Sequence, residues 1–406
     1  MGTTNPVELA LIIEKRMPLS NEDSLRLNVL LAQKVSAIRI DEGKLILYAL
    51  TQKGEAKIQL NPTQRNEKYI KEVKDFLSTK ALGAPGGFPM FLSRWNRMGD
   101  LRNSSLDKLL LLGEEEAVTA VVNNKNITAD IAKSAWWAVQ SAENARSMLA
   151  NESVVQSDIG TELAQFLIEF LPFEEDPLSM LISTRLVLQE GLISEDDVLK
   201  LWKKGKAKNT LYVGFLDVRP DEIPEPVAEH SRYPEVSEKL SELIAADNPY
   251  AVTLCKLLSA AGQTFLKTAE SAFKRPPNYD IVGDLIESIR RYVFVAQPEA
   301  GQTQQQYELG LSIQGEPQTD INAISALTSD IFYEENDICC SDKLKAVQNA
   351  VPELASQLQA ILFLSRTAQT VLAPTIANSN AVGSLMRKKL KPVFDPILMN
   401  LRILQD

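Results

Sequence analysis

Histidine is almost absent from this chain. The lone imidazole, His230, cannot furnish an H-E-x-x-H zinc site or most non-haem iron sites, which need two. Cysteine is nearly as scarce: Cys255, Cys339 and Cys340 leave an odd count and no C-x-x-C pair. That argues against a disulfide framework and for a reducing compartment. No apolar run reaches about 18 residues, so no membrane span is expected. The first twenty residues lack a basic stretch followed by a long apolar core, and the run Leu9 to Ile13 is cut by Glu14, Lys15 and Arg16. A secretory leader is therefore not expected, and Pro6 stands where a myristoylation motif has Ser or Thr. No glycine-rich loop leads to a Walker lysine, and no G-x-G-x-x-G follows a strand. The expectation is a soluble cytoplasmic protein with no metal and no cofactor.

What is present is ordinary globular composition, 45% hydrophobic and 24% charged over 406 residues, which favours two or three units over one core. The formal net charge of −10 opposes attraction to polyanions over the molecule as a whole. Local basic patches are confined to two clusters, Lys200, Lys203, Lys204, Lys206 and Lys208, and Arg387, Lys388, Lys389 and Lys391. At helix ends such cations complement the macrodipole, and that is the first reading of both.

Ser20 and Asp23 have the form of a capping box, opening a helix over 21–34. The period then changes to three β-prone runs around 38–40, 45–50 and 56–60, separated by turn glycines, which predicts an antiparallel meander. So small a sheet needs a helix against it, and the amphipathic stretch 68–77 offers Tyr69, Ile70, Val73 and Phe76. After the Gly/Pro-rich Gly83 to Pro89, helical patterns recur over 114–122, 128–139, 141–149, 160–171, 177–188, 194–204 and 208–217. Short joints force antiparallel neighbours, and such hairpins tend to stack as a HEAT-like α-solenoid. Four prolines mark 219–235 as a linker. Helices follow at 236–246, from Pro249 to the Pro276-Pro277 stop, at 280–295, 320–332, 352–376 and 382–404, the last broken by Pro392 and Pro396. A Gln-rich polar loop is expected at about 296–319. The reading is a mainly α protein: a small α+β region over 1–80, a helical-hairpin array over 81–218, the linker, and a C-terminal helical bundle over 236–406.

Chemistry-bearing signals are few. Gly86 and Gly87 sit in GAPGGFP, whose amides can converge on an anion, although two prolines remove donors. Arg94, Trp95 and Arg97 follow, able to anchor a protein interface, stack on a base, or pin the hinge by cation–π contact. Cys339 and Cys340 are adjacent, which strains a disulfide or a metal clamp, and Glu334, Glu335 and Asp337 before them raise a thiol pKa. The runs Glu114 to Glu116 and Glu174 to Asp176 stand at helix starts, where acids favour the dipole. His230, in the linker, reads as a surface histidine, and Trp136 and Trp137 as core packing.

The segments LRLNVLLA (25–32), GAPGGFPMFLSRWNRMG (83–99), SLDKLLLLGEEEAV (105–118), AWWA (135–138), FLPFEEDP (170–177) and GSLMRKKLKPV (383–393), in this order over nearly the whole chain, resemble the DsrS family. Those are soluble cytoplasmic members of the gene set around reverse-acting dissimilatory sulfite reductase. The resemblance implies an accessory or regulatory protein of sulfur oxidation with a protein partner, and it brings no catalytic residues. Alternatives from other classes stay open: an RNA-binding regulator using the lysine clusters and Arg94/Trp95/Arg97, and a thiol-dependent sulfur-handling protein using Cys339 and Cys340.

Overall fold

The computed structural model describes residues 19–89, 106–294, 342–376 and 383–406. Arg94, Trp95, Arg97, Cys339, Cys340 and the Gln-rich stretch 296–319 lie outside them. The fold is mainly helical with one small sheet, and the chain divides into two compact units, residues 1–170 and 171–406.

In the first unit, α1 (Asn21–Leu31) is capped by Ser20, whose Oγ accepts from the Asp23 amide at 3.1 Å. The meander follows as β1 (Val35–Asp41), β2 (Ile46–Thr51) and β3 (Gly54–Gln59), adjacent in that order. Period-2 alternation places Ile38, Leu47 and Ala49 on one face. There they join Leu27 and Leu30 of α1 and Tyr69, Ile70, Val73, Phe76 and Leu77 of α2 (Asn66–Leu82) in one core. The predicted helical partner of the sheet is therefore the one observed. Inside this core lies a carboxylate, fully buried Asp23, which accepts from the Tyr69 hydroxyl at 2.5 Å and the Asn61 amide at 2.8 Å. Burial, and then the bond to Asp23, push ionisation of Tyr69 upward.

The rest of this unit is helical: α3 (Leu106–Leu109), α4 (Glu115–Val122), α5 (Ala129–Ala138), α6 (Ala142–Leu149), α7 (Glu152–Val155) and α8 (Asp158–Phe170). Thr128 and Ser141 cap α5 and α6. Leu163, Ala164 and Leu167 turn the α8 stripe inward, and α8 packs on α6. Trp136 is buried edge-on to Phe166, with Nε1 donating to Glu162 at 2.8 Å. α5 packs on β1, so part of the sheet's second face is covered as well.

The second unit contains α9 (Pro177–Val187), α10 (Glu195–Lys204), α11 (Thr210–Val218), α12 (Tyr233–Lys239), α13 (Ser241–Ala245), α14 (Pro249–Leu258), α15 (Ala260–Phe273), α16 (Tyr279–Tyr292), α17 (Asp342–Ala350), α18 (Ala355–Arg366), α19 (Ala373–Ile376) and α20 (Gly383–Ile403). Every residue of α11 from Thr210 to Leu216 is buried, and α9, α15 and α16 pack around it. A helix apolar on all sides belongs at the centre of a bundle.

Several expectations are corrected here. The single helix expected after Pro249 is two, because Ser259 turns extended (φ −66°, ψ 164°) and caps α15 by accepting from Gly262 N. Likewise 236–246 divides at Leu240, and 352–376 divides where Thr367 and Ala368 leave helical geometry. Conversely α20 runs unbroken through Pro392 and Pro396, held by a buried face of Met386, Leu390, Val393, Phe394, Ile397 and Leu401. Tertiary packing there outweighs a local proline cost of about 3 kcal/mol. His230 is not a surface residue but is buried, its amide donating to Leu258 O at 2.9 Å and Nδ1 accepting from Arg232 N at 3.2 Å. The proline-rich run is thus seated on the second unit, with Val227 N also donating to Thr264 Oγ1 at 3.0 Å.

Charged pairs close the seams around α11. Arg185 of α9 approaches Asp217 at 2.5 Å, off its N–H axis, and reaches Asp284 of α16 at 2.8 Å, while Arg291 also pairs with Asp217. One turn on, the Tyr292 hydroxyl donates to Asp221 at 2.7 Å. Lys256 stands 3.3 Å from Asp221 and 3.8 Å over the Tyr292 ring, and Phe265 stacks on that ring at 3.7 Å. Burial, followed by Asp221, pushes the Tyr292 ionisation strongly upward.

Two outcomes follow for stability. A Cβ at Gly262 would meet Lys256 O at 2.2 Å and Leu257 Cα at 2.5 Å, both backbone. Gly262→Ala is expected to destabilise the second unit by about 3 kcal/mol in urea unfolding. Because the folded state raises the Tyr292 pKa, the unfolded chain loses that proton first, from about pH 10, and stability falls as pH rises. Tyr292→Phe should flatten the decline in urea midpoint between pH 9 and about pH 11, and an unaltered slope would assign it to other groups.

Candidate functional site

The meander register sets Lys57 opposite Tyr48 and Tyr48 opposite Arg39 on the face turned away from the α1/α2 core. The Arg39 guanidinium lies 4.9 Å from the Tyr48 ring centre and 4.8 Å from that of Trp137 on α5, and Lys57 stands 5.8 Å from Tyr48. Lysine, tyrosine, arginine and tryptophan thus form one row across the sheet. Glu55 closes it, 3.0 Å from Arg39 and accepting from Trp137 Nε1 at 3.2 Å. Trp137 is therefore half-buried against a cation, whereas Trp136 is the core residue of the pair.

Beside this row an open cleft of about 350 Å3 runs between the outer edge of β1, the start of α4 and the end of α5. Arg39, Asp41, Lys44, Tyr48, Glu114 and Glu115 supply its polar wall, and Ile38, Ile40, Val118, Ala138 and Val139 the apolar one. Lys44 pairs with Asp41 at 3.1 Å. Amide and side-chain bonds from Lys44 hold the Asp41 carboxyl below the usual range.

The glycine-rich turn is attached to this cleft through Glu114. Gly86 N donates to Asp75 Oδ1 at 3.0 Å, Gly87 N to Ser78 Oγ at 3.1 Å, and Phe88 N to Glu114 Oε2 at 2.8 Å. The three successive amides that could have turned to an anion are each taken by a different side chain of the protein. Gly87 has φ +59°, and a Cβ on it would stand 2.2 Å from Glu114 Oε1.

The basic clusters are not brought together. Lys200 pairs with Asp197 at 2.9 Å, Lys203 and Lys204 are exposed at the end of α10, and Lys208 turns inward to the carbonyls of Leu171, Pro172 and Glu174. Arg387, Lys388 and Lys389 stand on α20, whose main neighbours are α18 and α15, while α10 packs chiefly on α11. Cys255 is buried, and burial pushes its thiol pKa up, away from nucleophilic use. Among the described residues no group of three His, Cys, Asp or Glu is placed to hold a metal.

The sequence does not single out Arg39, Tyr48 or Glu55, and Trp137, expected as core packing, is instead half-buried against Arg39. The signal was the register: the turn glycines that mark the meander also align residues 39, 48 and 57.

Comparison with family models, with curated proteins and with solved structures yields no match.

Gly87→Ala forces a side chain into left-handed backbone and against Glu114, and should cost about 2 kcal/mol in urea unfolding. Exchange of the Phe88 amide should accelerate with it. Glu114→Gln, which keeps the shape and loses only the charge, should cost less; no loss at all would show that charge is irrelevant to the clasp.

Proposed function

We propose that this chain is a non-catalytic accessory or regulatory protein that works by holding a protein partner, and that the β1/α4/α5 cleft is where it does so. The sulfur-oxidation setting comes from the family resemblance alone. The observation that carries the reading is the state of the polar groups around the cleft. Arg39, Lys44 and Glu114 are each tied to a neighbour and the Gly86 to Phe88 amides are filled, so the polar rim of the cleft is ordered by the chain's own contacts. An apolar wall beside a polar rim suits a protein interface. A HEAT-like arrangement of the central helices belongs to the same proposal, supported in the first unit by α4, α5, α6 and α7 packing in chain order.

The test is recovery of the tagged chain, cross-linked in cells grown on reduced sulfur, with identification of bound protein and RNA. A protein of the sulfur-oxidation machinery retained under high salt is the expected result. RNA alone, released steeply by salt, would favour the RNA-binding alternative and overturn this reading.

A further inference from the structure

We infer that the outer edge of β1 accepts an extended, basic segment of a partner protein as a fourth strand, an inference that rests on the protein-binding reading above. The phase of the edge is fixed by one bond. Ile38 N donates to Leu110 O at 2.8 Å, so Ile38 directs its amide away from β2. Residues 38 to 41 stay in step with β2, and antiparallel partners alternate between bonded and open pairs. Ile40 therefore turns its N–H and C=O outward too, into the cleft, where no group among the described residues takes them. Gly113 lies against the Ile40 side chain, where a Cβ would stand 2.9 Å from its Cδ1, and forms with Glu114 and Glu115 the wall of the cleft opposite the open amide. A free edge in a walled cleft is a template for strand addition.

Charge selects the occupant. The two cations of the cleft are already paired, Arg39 with Glu55 and Lys44 with Asp41, and Glu114 is held by Phe88 N. Glu115 is exposed and has no partner among the described residues. A strand laid on Ile40 presents alternate side chains to the two walls, a small apolar one to Val118 and Ala138 and a basic one to Glu115. A polynucleotide suits the site less well. It would meet Glu115, and Arg39 already stands over the rings of Tyr48 and Trp137.

The test uses the full chain and three probes: a capped hexapeptide of alternating valine and lysine, its valine–glutamate counterpart, and oligouridylate. The lysine peptide should slow exchange of the Ile40 amide, and Glu115→Lys should weaken its binding about fivefold. Because Ile40→Pro deletes the edge amide but can disturb the sheet, the surface variant Glu115→Lys carries the decision. Unchanged Ile40 exchange at saturating peptide, equal binding of the glutamate peptide, or protection by oligouridylate instead would each overturn the inference. In cells, a partner captured equally by wild type and Glu115→Lys would remove this site yet leave the protein-binding reading standing. Capture of no protein by either would remove both.

Discussion

A three-stranded sheet buries too little surface to stand by itself, and the first unit is built around covering this one on both sides. One face is sealed by α1 and α2 in an apolar core that also takes in the Asp23–Tyr69 pair. The other is covered only in part, and it is held by a different kind of contact. Arg39 lies between Tyr48 and Trp137, and Glu55 holds both the arginine and the tryptophan, so one polar row fixes α5 to the strands. Cation–π contacts at half-exposed sites contribute about 0.5–1 kcal/mol each. The row is modest in energy but specific in geometry. The cleft lies between the last residues of β1, the chain at 113–115 and the end of α5.

Glu114 shows how one carboxylate can settle two local problems. It occupies the N-cap position of α4, yet its side chain makes no capping bond. It reaches instead to the Phe88 amide, while Glu115 and Glu116 in the first turn provide the negative charge that the helix start favours. The glycine turn leaves three successive amides to be satisfied, and Glu114 takes the last of them while Asp75 and Ser78 take the first two. The amides of the glycine turn are thus spent on the chain's own side chains.

The helices and their caps were largely legible in sequence because the signals are local: Ser20, Ser194 and Asp176 cap where their spacing indicates. The meander was legible for the same reason. What escaped depends on partners distant in the chain. Between Pro249 and Pro276 the apolar pattern runs on through Ser259 and masks the break there, which brings Gly262 against the backbone of Lys256 and Leu257, an approach only a glycine allows. Pro392 and Pro396 argue locally for a break that the buried face of α20 overrides. His230 looked exposed because prolines surround it, but the Leu258 carbonyl, accepting from its backbone N–H, gives it a seat. The Arg39 row became visible only when three strands were aligned, since no single window contains it.

The way the second unit uses charge also bears on where a partner would be met. Arg185, Arg219, Lys239, Lys256, Arg291 and Arg402 all pair with carboxylates of the same unit, so many of its cations are neutralised in place. Such pairs, part-exposed, add little stability individually, but they fix which helices meet. Lys203 and Lys204 remain exposed at the C-terminal end of α10, where the helix dipole favours cations without any ligand. Against a net charge of −10, two separated groups of lysine make a poor track for a polyanion. The cleft differs in kind: among the described residues a strand edge open at Ile40, an apolar wall and the exposed Glu115 carboxylate meet within a few residues, and the proposed peptide partner rests on that combination.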